Sequence, residues 1–511
     1  MKTKTFIIIT IVLFSFIGCS LEEKPYGFYS EDNFYKTERD AKAAINYAYA
    51  ALTYIEYSRA LYFIGDMPTE ILTTKGDASV DNRALDLWKV DNFDTNETLV
   101  NFFKYSYIAI NRANAILKKM PNSDINENIK KQYLGEAFFL RAYSYFCLSR
   151  NFGLVPIHNS VVETLSQTAA PLAKNMDEIY EQMISDCIQA EELLPTYTQP
   201  TMGRIDRVGA QALLAKIYLY AASAKSNNVP LYKDISMDVQ EMYGEAEKYA
   251  SRVLGLDADF PQNTYGFESD LLDIYDVDNF YGKENIFLMS MDRTGESEGQ
   301  YSKISKMFIP YVEGATIWIK QGNEEKYIKS HDGWGEYRTE IDFYNEFEDG
   351  DLRKTHLIVD KVYDEGGELK AEWVNDGSGA LEYPFSRKYI DPNFDGDKTS
   401  TRPFLIRYTD IALVYAEAAG PTKKAYEIVN FIRNRAGLGD LIVGLSKDDF
   451  RYKIYNERKF EMAYEGDRMY DIRRWGKIGE INEVKAAGLS ESEYSFYPLP
   501  QVEINLNPNL R

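Results

Sequence analysis

The chain is poor in the residues that build compact catalytic and metal centres. It has 3 cysteines and 3 histidines in 511 residues. His158, His331 and His356 are widely separated, and with so few cysteines they form neither a His-Glu-x-x-His helix, a zinc spacing nor a disulfide framework. Basic charge is also scarce: 58 Lys and Arg stand against 79 Asp and Glu, a formal charge of −21. A nucleic-acid partner would call for a basic footprint, and an anionic lipid surface for a polybasic patch. The sequence has no Gly-x-Ser-x-Gly elbow and no P-loop. Beyond the N-terminus, no charge-free apolar run approaches the roughly 20 residues needed to cross a bilayer.

The excess is in aromatics. Tyr 40, Phe 27 and Trp 5 make up 14% of the chain. Tyrosine combines an apolar face with a polar tip, which suits helix packing and also surfaces that hold polar ligands with apolar faces.

The one long apolar run, 6–17, follows Lys2 and Lys4 and is too short to span a membrane. It reads as the hydrophobic stretch of a signal peptide, 1–18. Its end, Phe16-Ile17-Gly18-Cys19, resembles a bacterial lipobox, although Phe16 replaces the usual Leu. Cys19 would then be lipidated, with acyl chains anchoring the protein at roughly 0.8 kcal/mol per buried CH₂. The next residues, Ser20-Leu21-Glu22-Glu23, resemble the surface-export signal of Bacteroidetes lipoproteins. Residues 19–36 read as the lipidated N-terminus and a linker. Cys147 and Cys187 fall in helical patterns and read as core thiols.

Apolar spacing predicts helices over 37–57, 99–120, 128–150, 177–194, 207–224 and 242–254. The pairing looks tetratricopeptide-like, with no clean 34-residue period. From 261 to 403 helical periodicity fades, and 286–291 reads as a short strand. Helicity returns over 407–419, 422–435, 447–465 and 468–475, and Pro498 and Pro500 predict an extended, docked tail rather than a helix. The expected organisation is an N-terminal helical-repeat part, 37–260, and a C-terminal part, 261–511, carrying a ligand-binding insertion, 261–403. The fold class is mostly α: tetratricopeptide-like repeats packed against an irregular, loop-rich half with few short strands.

Several segments, taken in order, resemble the SusD/RagB family over nearly the whole chain. They are Arg141-Ala142-Tyr143-Ser144-Tyr145-Phe146 with Phe152-Gly153-Leu154-Val155-Pro156, Gly203-Arg204 with the alanine-rich 210–219, and Arg407-Tyr408-Thr409-Asp410. Asn430-Phe431-Ile432-Arg433-Asn434-Arg435, Glu465-Gly466-Asp467-Arg468 running on to Trp475, and Pro498-Leu499-Pro500 with Asn507-Pro508-Asn509 complete the set. The resemblance implies four tetratricopeptide-like helix pairs and a partner, a SusC-like TonB-dependent transporter of the outer membrane. It also implies a ligand, a glycan or sometimes a peptide, that is held and handed on without chemistry.

Glu457, Glu461 and Glu465 share one helix face, where carboxylates could do acid–base work. With Arg458, Arg468, Arg473 and Arg474 beside them, they read instead as a partly buried ion network. Asp391, Asn393, Asp395 and Asp397 alternate like the start of a Ca²⁺ loop, but Arg402 stands where a closing Glu is required, so the run reads as a solvated turn with no cofactor, and a Ca²⁺ there would need ligands from elsewhere.

A sugar offers C–H faces to rings and hydroxyls to planar polar groups. The loop 65–91 supplies Asp66, Asp81, Asn82, Arg83 and Trp88, and the insertion supplies Tyr281, Tyr301, Trp318, Trp334 and Tyr337. The expectation is a non-enzymatic surface lipoprotein that binds a glycan and does not bind nucleic acid. A peptide binder in the same uptake role and a surface glycoside hydrolase are the alternatives.

Overall fold

The computed structural model describes residues 35–510 apart from 313 and 315. The signal peptide, Cys19 and nearly all of the linker lie outside the described residues.

Helix α1 (Glu38–Thr53) opens on a capping box between Thr37 and Asp40. The expected single helix over 37–57 is in fact two. Tyr54 takes an extended backbone, with φ −55° and ψ 138°, and stacks on Tyr105 at 4.6 Å before α2 (Ile55–Gly65) begins. After β1 (Leu72–Thr73) and the short α3 (Val80–Asp86) come α4 (Glu97–Lys119), α5 (Glu127–Phe152), α6 (Met176–Leu193), α7 (Arg207–Ser226) and α8 (Val239–Val253). Helix α7 is buried along almost its whole length. Its alanines allow neighbouring helices to approach closely on every side.

The irregular half holds β2 (Asn285–Leu288), α9 (Ile304–Phe308), β3 (Thr316–Lys320), β4 (Tyr327–His331) and β5 (Arg338–Thr339). These are followed by α10 (Ile341–Asn345), α11 (Leu352–Leu357), β6 (Ile358–Val359), β7 (Lys361–Tyr363), β8 (Leu369–Glu372), β9 (Phe385–Ser386) and β10 (Phe404–Arg407). Strands β4-β3-β7-β8 form an antiparallel sheet over a small core of its own that includes Ile317, Ile319, Val362 and Phe385. Helix α12 (Tyr408–Ala419) and α13 (Lys423–Arg435) then pair, followed by α14 (Lys447–Glu461), α15 (Arg468–Arg474), α16 (Asn482–Ala487), α17 (Glu491–Tyr494) and α18 (Gln501–Leu506).

The pairs α1/α4, α5/α6, α7/α8 and α12/α13 pack in that sequence, α4 on α5, α6 on α7 and α8 on α12. This is a mostly helical, tetratricopeptide-like scaffold with few short strands. The tail departs from the extended expectation. Pro500 occupies the N-cap of α18, where its missing N–H costs nothing. Tyr497 N donates to Asn151 O at 2.9 Å and Gln501 N to Asp94 O at 2.8 Å, docking the tail on the first helices.

The charged motifs are the mortar of this scaffold. Arg141 forks onto Asp186 at 2.6 and 2.8 Å, joining α5 to α6. Arg407 reaches Glu284, Glu461 and Glu465, while Arg435 reaches Glu284 and Glu461. Arg353 holds Asp351 and Glu457, and Lys388 holds Glu465. On the helical side Lys216 and Arg458 share Asp410, and Arg474 forks onto Glu417. Glu461 is buried, which pushes its carboxyl up, but the guanidiniums of Arg435, Arg407 and Arg353 outweigh burial and hold it well below the usual range. Such a carboxylate is structural, with its lone pairs occupied by Arg and no path to solute.

Candidate binding site

The break at Tyr54 sets the direction of α2, which presents Glu56, Arg59, Ala60 and Phe63 to one wall of a cleft of about 260 Å³. The second wall is the joint between α3 and α4. Ser79 caps α3 by accepting from Asn82 N at 3.2 Å. The Asp81 carboxylate accepts from Glu97 N at 3.1 Å, and its carbonyl accepts from Asn96 Nδ2 at 2.8 Å. That clamp fixes Asn82, Thr98 and Asn101 side by side along the cleft.

The third wall comes from the insertion. Residues 333–337 run against 306–310: Gly333 N donates to Pro310 O at 3.0 Å, Trp334 N to Lys306 O at 2.6 Å and Tyr337 N to Met307 O at 2.8 Å. A Cβ at residue 333 would lie 1.8 Å from Ile309 O, so only glycine allows this approach. The pairing holds Trp334 at the cleft, 38% exposed, with the Arg59 guanidinium carbon 5.6 Å from its ring centre. Tyr337, itself buried, ties the insertion to α2 by donating to Arg59 O at 3.0 Å. Glu336 pairs with Lys75 at 2.9 Å through one oxygen, while its Oε2 and Arg59 Nε have no hydrogen-bond partner among the described residues.

The cleft therefore offers one half-exposed indole flanked by a guanidinium, two amides and carboxylates. This set can cover a C–H face and exchange hydrogen bonds with hydroxyls.

Of the residues expected from sequence, Asp81, Asn82 and Trp334 meet here. Arg83 is exposed on α3 without lining the cleft. Tyr301 is half-buried beneath Lys398 Nζ at 5.0 Å. Trp318 lies half-buried in β3, opposite Lys329 and Tyr363. Tyr281, 61% exposed, lies on the loop before β2 and is not part of this cleft.

Three expectations need correction: Tyr337, described above, is fully buried and is core rather than a ligand contact, and two others follow. Asp66 is fully buried and accepts from Gly466 N at 2.8 Å and Arg468 N at 3.3 Å, so it is a joint in the interior rather than a ligand contact. Trp88 is 2% exposed, donates Nε1 to Pro68 O at 3.0 Å and stacks on Tyr497 as a core residue. The Ca²⁺ candidate is also committed elsewhere. Asp391 accepts from Arg293, Asn393 N and Ser400 N, Asn393 donates to Asp278, and Asp397 pairs with Lys306. Among the described residues no group of three or more His, Cys, Asp or Glu could hold a metal ion.

Sequence reasoning missed Arg59, Asn101 and Glu336. Arg59 carried a usable signal, being the one cation in an apolar helical stretch, 57–64.

Comparisons with known proteins cover all three walls. Residues 283–511 match the model of the SusD family, and residues 26–219 match a model described as starch-binding, associating with outer membrane. A curated relative, SusD-like protein P2 of Formosa agariphila, is 27% identical over 537 residues, covering 99% of this chain and 97% of its own. A SusD homolog from Bacteroides thetaiotaomicron superposes with a TM-score of 0.76 at 19% identity, over 94% of this chain and 98% of that one. A laminarin-binding SusD-like protein gives a TM-score of 0.73 at 22% identity, over 93% and 98%. Among the described residues, no helix is long and apolar enough to cross a membrane.

Proposed function

Because the chain belongs to the SusD/RagB family, we propose that it is a surface-exposed glycan-binding lipoprotein of the outer membrane. It captures an oligo- or polysaccharide and delivers it, unaltered, to a SusC-like TonB-dependent transporter. The lipobox-like Cys19 supplies the anchor, and a matched family model described as associating with outer membrane supports this location. The observation that carries this reading is the Trp334 cleft, where a half-exposed indole meets Asn82, Asn101 and Arg59. The side-chain amides of both asparagines have no partner among the described residues. Glycosidic chemistry would need a carboxylate pair free to exchange protons with substrate. The helix-face glutamates of the C-terminal motif are instead locked in ion pairs.

The name of one structural neighbour makes laminarin the first probe. Trp334→Ala should weaken glycan binding by about ten- to a hundredfold, the equivalent of about 1.5–3 kcal/mol for an aromatic contact area returned to water. Asn101→Ala should weaken it by about tenfold. Neither should shift the melting temperature appreciably, because both side chains face the cleft. Titration calorimetry on a glycan panel checks this, with hydrolysis of the same glycans measured in parallel. Unchanged affinity in both variants would remove the cleft from the reading. Turnover by the purified protein would replace capture with catalysis.

A further inference from the structure

A second cleft, of about 600 Å³, lies between the 270–278 segment, the β3–β4 turn and the residues after β9, and it shares no lining residue with the Trp334 cleft. Arg387 faces it and is 8% exposed. Its backbone is pinned by a hydrogen bond from N to Leu357 O at 2.8 Å. Its Nε has no hydrogen-bond partner among the described residues, and Asp270 and Asp276 act on it only through space. Burial without a paired carboxylate pushes this guanidinium down to about 10.

An unmatched guanidinium at that depth is costly. It faces a wall of acceptors: Asp270, Asp273, Asp276 and Asp278 line the same cleft, with Glu324 and Lys326 on the β3–β4 hairpin opposite. Asp278 is shared with Arg293 at 3.2 Å and Asn393 at 2.8 Å, while Asp273 is pushed up by burial and by its acidic neighbours. The opposite wall is the β3–β4 turn. Gly322, with φ +55°, turns the β3–β4 hairpin against His356 so closely that a Cβ would sit 2.6 Å from the imidazole. Phe280 and Tyr281 follow directly on the acidic wall, 43% and 61% exposed.

This charge pattern discriminates among ligands. An anion would satisfy Arg387 and be repelled by five carboxylates, whereas a cation would suit the carboxylates and meet Arg387 and Lys326. A neutral vicinal diol does both tasks, with one hydroxyl oxygen accepting from the guanidinium and a neighbouring hydroxyl donating to Asp. We propose that this cleft is a second binding site, for a neutral, hydroxyl-rich sugar residue, with Arg387 as the donor at its base and Asp270 and Asp276 as the acceptors. The proposal rests on the glycan-binding reading. Two separate sites on one chain would hold a long polysaccharide by effective concentration, so that capture strengthens with chain length without any new contact.

The test uses the mature full-length chain titrated with laminarihexaose and maltohexaose as neutral probes and trigalacturonate as an anionic one. Trp334→Ala should retain a saturable site for a neutral probe. Adding Arg387→Met should weaken that site at least tenfold. Adding Asp276→Asn instead should weaken it severalfold, a check that does not depend on how the buried arginine position tolerates substitution. Loss of all binding in Trp334→Ala would overturn the second site and leave the first. Equal binding in Trp334→Ala with and without the Arg387 and Asp276 changes would overturn it too, as would tighter binding of trigalacturonate. Loss of all binding in Arg387→Met, with none in Trp334→Ala, would support the second site and remove the first. Absence of binding by every probe would overturn both.

Discussion

Glu461→Gln should destabilise the protein by about 3–5 kcal/mol while leaving glycan affinity unchanged. The carboxylate is 2% exposed and accepts from Arg407 at 3.1 and 3.2 Å, from Arg435 at 2.8 Å and from Arg353 at 3.3 Å. Glutamine keeps the volume and removes the charge. Its amide also turns a donor toward a guanidinium, leaving buried cations that Glu284, Glu457, Glu465 and Asp351 must balance. The same linkage predicts acid lability. A carboxyl whose folded pKa is depressed contributes stability above its unfolded value, near 4.3, and that contribution is lost as pH falls through the folded value. Urea titration at pH 7 measures the first effect, and comparison of wild type and variant below pH 4 measures the second, where the gap between them should narrow. A folded Glu461→Gln protein with wild-type stability and lost affinity would move this cluster from scaffold to site.

The helices were legible because burial of one face imposes a period that survives in the sequence. Helices α4 to α8 and α12 to α15 lie within a few residues of where apolar spacing puts them. The break at Tyr54 was not legible, because the apolar stripe continues through it and the turn is set by a ring stacked on Tyr105. The β4-β3-β7-β8 sheet escaped because its strands are 3 to 5 residues long and its core is made by partners distant in sequence. The site divides along the same line. Trp334 stands among His331, Asp332, Gly333, Gly335 and Glu336, and such neighbours keep a ring near the surface. Asp66 and Trp88 sit in a loop of mixed polarity, where nothing local announces that the loop before α15 will cover one and Tyr497 the other. Asn101 and Arg59 are polar positions on helices. Periodicity assigns them to an outer face but not to the segment that comes to lie over it.

Asp66 carries the other large effect, of opposite sign. Burial pushes its carboxyl up to about 7 from an ordinary 3.8. The folded protein therefore holds a proton there, between about pH 4 and pH 7, that the unfolded chain has released. Stability from this group is complete below the unfolded value and is lost as pH rises through 7, by about 4 kcal/mol over roughly three pH units. Asp86, pushed to about 6, and Glu340, pushed to about 7, act in the same direction. Their partial exposure shrinks that share. With the ion network failing below pH 4 and this joint weakening from about pH 4 to pH 7, maximal stability should fall near pH 4. Unfolding in urea at pH 4, 5, 6 and 7 should show a steady decline that levels off by pH 8, and Asp66→Asn should flatten it, since the amide oxygen can still accept from Gly466 N without acquiring charge. A wild-type slope in Asp66→Asn would assign the decline elsewhere. The neighbouring backbone contact gives an independent check on the same joint. A Cβ at Gly65 would lie 2.0 Å from Gly466 O, so Gly65→Ala should cost about 3 kcal/mol at every pH. Because this joint ends the helix that carries Arg59, the Ala variant should also weaken glycan binding, whereas Asp66→Asn, which preserves the approach, should not.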